Sequence, residues 1–502
     1  MSTAYGLTSV VLVVLAAVLI GAFGLRLSRT TSDFYVASRT VSPLWNASAI
    51  GGEYLSAASF LGAAGLILAY GADMLWLPVG WTGGYLVLLV LVSAPLRRSG
   101  AYTLPDFAEA RLSSMTVRRT ASVLVVLIGW LYLMPQFQSA GLVLRTVTGA
   151  PVWVGGVLVA VVVAVNVLSG GMRSITFVQA FQYWLKLTAL AFPAIFLLLA
   201  WRSGGSPGIS EQDASTWALP LASEREYPLY STYSQILATF LGTMGLPHVL
   251  VRFYTNPDGR AARRTTLVVL CLLGAFYLLP AVYGALGRLY AADLIGSGRT
   301  DAVVLTLPGR LIAGSFGELL SALVTAGAFA AFLSTSSGLT VSVAGVIAQD
   351  ILRGGVRSFR VATVLAVIVP LVLAGAARSL PVADVVGLAF AVAASSFCPL
   401  LVLGIWWWRL TSTGAMAGLL AGGGLASVAV LTTIAIGPHD GWPGAMLAQP
   451  AAWTVPVAFV VMIVVSLATP SRVPPDVART MVRLHAPETL NLNRGDWRPR
   501  RS

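Results

Sequence analysis

The chain has 502 residues, of which 57% are hydrophobic and only 10% are charged. A soluble globular protein carries roughly 25% charged residues, so this chain has too few charges to cover a surface that faces water. The net charge of +13 comes from arginines that cluster in alternate loops and near the C-terminus, and Lys186 is the only lysine. That distribution indicates orientation in a lipid membrane and argues against nucleic acid as a partner.

Thirteen apolar segments follow one another along the chain, and most are long enough to cross a hydrocarbon core about 30 Å thick as a helix. Strands of a membrane barrel are excluded because the segments do not alternate apolar with polar residues. We expect the first segment to be a retained span rather than a cleaved signal peptide. Spans one to thirteen lie at roughly 5–25, 44–70, 73–95, 119–145, 151–169, 174–201, 229–251, 265–289, 312–349, 359–377, 381–408, 412–436 and 452–469.

The arginines set the expected orientation. They concentrate in the loops after odd-numbered spans and after span thirteen, which the positive-inside rule places in the cytoplasm. We therefore expect a multi-pass protein of the cell membrane with its N-terminus outside. Residues 1–470 would form the membrane domain and 471–502 a basic cytoplasmic tail. No nucleotide-binding or phosphorylation motif occurs and only three histidines are present, so we expect neither an enzyme nor catalytic residues.

Two spans contain residues that interrupt a helix. Span two reads NASAIGGEYLSAASFLGAAG, with Glu53 after paired glycines, and span seven reads YSTYSQILATFLGTMGLPHVL, with Pro247 near its end. They would begin two repeats, about 44–201 and 229–408, and five spans of separation makes the second repeat inverted. Paired broken helices of this kind indicate a transport site at the membrane midplane. The glycines could instead serve close packing alone. Glu53 should face water or a partner, with either a structural or a coupling role.

Span nine is rich in hydroxyl side chains, including the adjacent pair Ser334 and Thr335. Each hydroxyl alone would be expected to bond back to its own helix. Together with carbonyls freed by an unwound span two, they could also form a cage of neutral oxygens, which suits a hard cation such as Na+.

Five segments along the chain carry a family resemblance, namely DFYVASRTVSPLWNASAIGGEYLSAASFLGAAG, YTLPDFAEARL, PQFQSAGLVL, SGGMRSITFVQAF and GTMGLPHVLVRFYT. In this order they resemble blocks of the sodium:solute symporter family, and within it the cation/acetate symporter branch. The resemblance implies an all-α LeuT-type core of two inverted five-helix repeats, with one leading and two trailing helices. Thr176 stands where some members carry an aspartate linked to a second sodium, so a second sodium site is not expected.

The resemblance also implies Na+ as the coupling ion, bound where span two crosses span nine. Its ligands would be the backbone carbonyls of Gly52, Leu55 and Ala331 and the hydroxyls of Ser334 and Thr335.

The resemblance implies a small monocarboxylate such as acetate as the substrate, and the N-terminus of a half-helix, with its free N–H groups and positive dipole end, suits a carboxylate. No arginine is expected deep in a span, and Arg252 is counted in the loop after span seven. Sodium symport of another organic solute (proline, a sugar or another organic acid), a proton-coupled carboxylate carrier and a transporter-like sensor module remain alternatives. The residues expected to line the substrate site are Ser56, Ser59, Gln136, Thr243 and Gln179.

Overall fold

The computed structural model describes residues 3–25, 42–222, 226–352, 354–375, 380–437 and 440–488. The expected basic loop after span one and the last part of the expected tail, 489–502, lie outside these residues. Within them all regular structure is helical. The apolar helices pack against one another, and away from the breaks a helix forms its backbone hydrogen bonds within itself, which suits a membrane.

Most helix bounds follow the expected spans, but the single helix Val152–Ser203 runs through both segments expected as spans five and six. Short π-helical turns at Ala58–Gly62, Leu88–Val92, Ile347–Ile351 and Leu419–Gly424 connect several of them. The main α-helices are Thr3–Leu25, Pro43–Tyr54, Ala63–Tyr70, Trp76–Val87, Ser93–Ser99, Leu104–Leu112, Met115–Thr148, Val152–Ser203, Pro228–Gly245, Pro247–Phe253, Gly259–Tyr290, Val303–Leu311, Gly314–Val346, Val356–Leu373, Val382–Trp406, Ser412–Gly418, Leu425–Ile436, Gly441–Ala448, Ala451–Ala468 and Val477–His485.

By length and composition, nine helices of the described residues can cross a membrane, or ten if one bent pair counts as a span. Thirteen were expected, and the nine differ from them because spans two and three form one run, span seven is the bent pair, and the helices at spans five and ten are not among the nine. One run, Ala58–Ser99, contains both the second half of span two and span three, while Val152–Leu168, at span five, falls below the length used for a full span. The number thirteen therefore stays a prediction.

Both expected interruptions are present. In span two the helix stops at Tyr54, and Leu55 leaves helical geometry with φ −72° and ψ 85° before the chain turns into the π-helical segment. In span seven the two half-helices meet at Leu246 with a bend of 43°. Proline at position 247 explains the second break, because its ring cannot continue the preceding helix.

Glycines beside both breaks also allow close packing. A Cβ at Gly52 would overlap the backbone carbonyl of Gln179 in span six, and one at Gly242 would overlap that of Phe390 in span eleven. These two glycines therefore serve close packing, which was the alternative raised from the sequence, and they also lie beside the interruptions of spans two and seven.

One end of the bundle is closed by ion pairs around Arg118. Its guanidinium lies 2.8 Å from Asp106, 2.5 Å from Glu109 and 2.7 Å from Asp350, which ties the short helix Leu104–Leu112 and the start of span four to the end of span nine. Burial raises the pKa of Asp106 from 3.8 to about 6, although the charge of Arg118 acts to lower that pKa.

Candidate transport site

The unwound segment of span two presents its carbonyl oxygens to a buried ammonium group. Lys186, from span six, is fully buried, and its Nζ donates to the carbonyl of Gly52, to the carbonyl of Leu55 at 2.7 Å and to Ser334 Oγ at 2.6 Å. The structure therefore brings three of the five expected sodium ligands together, and all three accept from one lysine.

The other two expected ligands lie in span nine beside the same break. The carbonyl of Ala331 accepts a hydrogen bond from Ser334 Oγ at 3.1 Å, and Thr335 Oγ1 donates to the carbonyl of Glu53 at 2.6 Å. Each of the five oxygens thus has a partner from the protein. The crossing of spans two and nine is closed by direct contacts between side chains and backbone.

Glu53 has a partner, as its place inside the membrane domain requires. Its Oε2 accepts from Arg252 Nε at 2.7 Å, and both side chains are almost fully buried. The same guanidinium donates to Thr176 Oγ1 at 2.7 Å and to Gln179 Oε1. The expectation that no arginine lies deep in a span was wrong for Arg252, because the half-helix after the break keeps the chain inside the bundle.

The expected substrate residues divide into two groups. Ser59 Oγ bonds the Tyr277 hydroxyl at 2.8 Å, and Thr243 Oγ1 bonds the Tyr54 hydroxyl at 2.7 Å. The remaining members of that group are also at the break: Gln136 Oε1 accepts from the backbone N–H of Ala57 at 3.0 Å, and Ser56 is fully buried. Gln179 stands apart, because its amide oxygen contacts Arg252 and its nitrogen donates to the carbonyl of Ser334 at 2.8 Å.

Aromatic rings from spans two, three, four and eleven lie around the break in span two. Tyr54 lies edge-on to Tyr85 with ring centroids 4.9 Å apart, and Phe390 lies 6.2 Å from Trp81 and 5.8 Å from Tyr132. We call these five residues the aromatic cluster. All of them are buried to within 1% of full coverage.

Two members of the aromatic cluster have hydrogen-bonding groups with no partner among the described residues, namely Trp81 Nε1 and the Tyr85 hydroxyl. His248 adds a third case, since neither of its ring nitrogens has a partner and its ring packs 5.3 Å from that of Tyr132. Unsatisfied buried groups are costly, so each of these three side chains calls for an explanation.

A cavity of about 690 Å³ opens at the end of the bundle opposite the Arg118 ion pairs. It is lined by the second half of span two, by Phe137 and Arg145 of span four, and by Asp301 and Pro381 near later spans. The cavity and the Arg118 ion pairs therefore lie toward opposite ends of the helix Met115–Thr148, since Arg145 lines the cavity.

Comparison with known proteins adds the family. A sequence profile described as the sodium:solute symporter family matches residues 34–422. An uncharacterised symporter, YwcA, of Bacillus subtilis (strain 168) is 32% identical over 470 residues, which cover 87% of this chain and 89% of the relative. The chain belongs to the sodium:solute symporter family. A monocarboxylic acid transporter of Corynebacterium glutamicum is 31% identical over 488 residues, covering 87% of each chain. The family resemblance stated from the sequence is confirmed, and the chain is assigned to transporters rather than to enzymes.

Solved structures agree on the fold. A Na+-coupled sialic acid symporter in a substrate-bound outward-open state matches with a TM-score of 0.72 at 14% identity, over 92% of this chain and 97% of that one. A nucleobase-cation-symport-1 family transporter in a closed conformation matches with a TM-score of 0.56 at 14% identity, over 91% and 99% of the two chains. The expected all-α LeuT-type fold class of this symporter family member is confirmed.

Sequence reasoning missed Lys186, Arg252 and the aromatic cluster. One signal was available for the lysine, because it is the only one in the chain and stands in an apolar stretch of 29 residues. An ionisable residue inside a span indicates function by default. No comparable signal distinguished the clustered aromatic residues from those of an interfacial belt.

Proposed function

We propose that this protein is a secondary active symporter of the cell membrane that carries a small monocarboxylate such as acetate by alternating access. Membership of the sodium:solute symporter family supports coupled transport, and the relative named as a monocarboxylic acid transporter supports the substrate class.

The observation that carries the proposal is the pair of partnerless groups in the aromatic cluster. The indole Nε1 of Trp81 is a donor only, and the Tyr85 hydroxyl can also donate. A carboxylate is an acceptor only and can receive both hydrogen bonds. The rings are in contact with one another, so a solute that binds among them has to be small, and its methyl or methylene groups would contact aromatic faces.

Charge at the site is consistent with an anion. Glu53 and Arg252 neutralise each other, while the Lys186 ammonium contacts only neutral oxygens. A carboxylate bound beside span two would reduce the positive charge left inside the bundle, which is favourable where the local dielectric constant is low.

For alternating access, the open cavity would receive the solute from outside, and the Arg118 ion pairs would keep the cytoplasmic end closed until the solute is bound. The short half-helices of spans two and seven would move in the conformational change of alternating access, because their breaks already lack continuous helical hydrogen bonds. This orientation, with the N-terminus outside and the basic tail inside, follows the positive-inside rule.

The coupling ion has two candidates. The family name and the sodium-coupled structural relative favour Na+, with Gly52, Leu55, Ala331, Ser334 and Thr335 as its ligands. The contacts of Lys186 favour a proton gradient as the alternative, because an ammonium group already uses three of those oxygens.

The substrate class is tested by uptake of labelled acetate into proteoliposomes, with unlabelled competitors. Propionate and pyruvate should compete, whereas acetamide, which has the shape of acetate without its charge, and proline should not. Competition by proline that exceeds competition by propionate would contradict the proposal.

The site is tested with Trp81→Phe and Tyr85→Phe, which remove one donor each and keep a ring. A hydrogen bond to a charged group contributes about 1.5–3 kcal/mol, so KM for acetate should rise roughly 10- to 100-fold. Trp184→Phe makes the same change at a side chain that is 47% exposed on the outer face of span six, and it should leave KM unchanged. An unchanged KM in both cluster variants would place the substrate elsewhere.

A further inference from the structure

The family resemblance implies a Na+ site where span two crosses span nine, and the structure shows which oxygens and which basic group lie at that crossing. Gly52, Leu55 and Ser334 supply two carbonyls and one hydroxyl, which are oxygens suited to a small cation. All three accept hydrogen bonds from the Nζ of Lys186. An ammonium group has three N–H donors, so these oxygens satisfy it completely.

We propose that the ammonium group of Lys186 is a tethered cation that takes the place of Na+ at this site, so that Na+ does not bind there. This inference deepens the proposed function, because it concerns the ion site of the same transporter. The Nζ lies at the centre of the three oxygens, at 2.6 and 2.7 Å from two of them, and leaves no room for a second cation among them.

The remaining oxygens do not provide a second cage. Ala331 accepts from Ser334 Oγ, and Thr335 Oγ1 points its hydrogen at the carbonyl of Glu53, so neither group faces an empty centre. The tethered ammonium joins spans two, six and nine, which is the mechanical link that a bound ion would otherwise provide.

The surrounding charges also oppose a further cation. Glu53 is the carboxylate near Lys186, and it is paired with Arg252 at 2.7 Å. A sodium ion beside Lys186 would add positive charge where one carboxylate already faces two basic groups. By contrast, once the Lys186 side chain is removed, the same oxygens surround a space that is lined by neutral acceptors and lies near Glu53.

The test is thermal unfolding of the purified full-length protein in detergent, in sodium chloride and in potassium chloride of equal ionic strength. For the wild type we expect the same Tm in both salts. For Lys186→Ala, which empties the centre of the oxygens, we expect a higher Tm in sodium chloride. Lys186→Met is the matched control, because its uncharged side chain still fills the space, and it should show no difference between the salts.

A higher Tm of the wild type in sodium chloride would overturn the inference, and so would a Lys186→Ala variant whose Tm is the same in both salts.

Proteoliposomes give an independent readout that does not require the variants to fold. Solute uptake by the wild type should be the same with external sodium or potassium, and radioactive sodium should not enter with the solute. Sodium entry coupled to solute entry would also overturn the inference. If the wild type transports no monocarboxylate, the proposed function fails, while the comparison of Tm values still decides the role of Lys186.

Discussion

Replacement of Glu53 by glutamine tests the buried ion pair that holds spans two and seven together. Removal of one partner of a buried pair costs about 3–5 kcal/mol, because the other charge stays buried without compensation. Here the guanidinium of Arg252 keeps two neutral acceptors, Thr176 and Gln179, so the lower end of that range applies. Lys186 loses its nearby carboxylate as well. We therefore expect Glu53→Gln to lower the free energy of unfolding by about 3 kcal/mol.

The assay is unfolding in mixed detergent micelles with increasing denaturing detergent, followed by tryptophan fluorescence. Glu211→Gln, in an exposed helix of the loop before span seven, is the matched control and should change the free energy by less than about 0.5 kcal/mol. The double variant Glu53→Gln, Arg252→Gln should be more stable than the sum of the two single changes predicts. A Glu53→Gln variant as stable as Glu211→Gln would refute the importance of the pair.

Two further predictions concern the neighbours of this pair and the closed end of the bundle. A Cβ at Gly338 would overlap the Glu53 carboxylate, so Gly338→Ala should displace it from Arg252 and lower Tm, which thermal unfolding measures. For Asp106, a rise of pKa from 3.8 to about 6 means that the fold disfavours the ionised form by about 3 kcal/mol. The preference of the fold for the protonated Asp106 carboxyl therefore stabilises the protein at low pH. This stabilisation is complete below about pH 4 and is lost as pH rises through about 6. Asp106→Asn, whose amide oxygen can still accept from the Thr103 N–H, should lack this slope in a plot of Tm against pH; an unchanged slope would contradict the prediction.

The breaks in spans two and seven could be predicted because glycine and proline act on the backbone locally. The proximity of Ser334 and Thr335 to the first break was available through the family resemblance, and the structure places both side chains there. These features depend on residue type and order along the chain, which a sequence displays directly.

The contacts of Lys186 and Arg252 could not be read in the same way. A lysine in an apolar span can extend to the membrane surface or inward, and only the packing of span six against span two decides between the two. Arg252 follows Pro247 by five residues, and a sequence does not show that the intervening half-helix remains buried. The aromatic cluster poses a similar difficulty, because its five members come from four spans and no spacing relates Trp81 to Phe390.

The most direct test of coupled monocarboxylate transport is accumulation of labelled acetate in proteoliposomes above its external concentration. Sodium and proton gradients, inward in each case, should be imposed separately and then collapsed with ionophores. We predict accumulation that is driven by one of these gradients and is weakened in Trp81→Phe and Tyr85→Phe. With Lys186 as the tethered cation, the proton gradient should be the one that drives it. Acetate that only equilibrates, whichever gradient is imposed, would contradict symport by this protein.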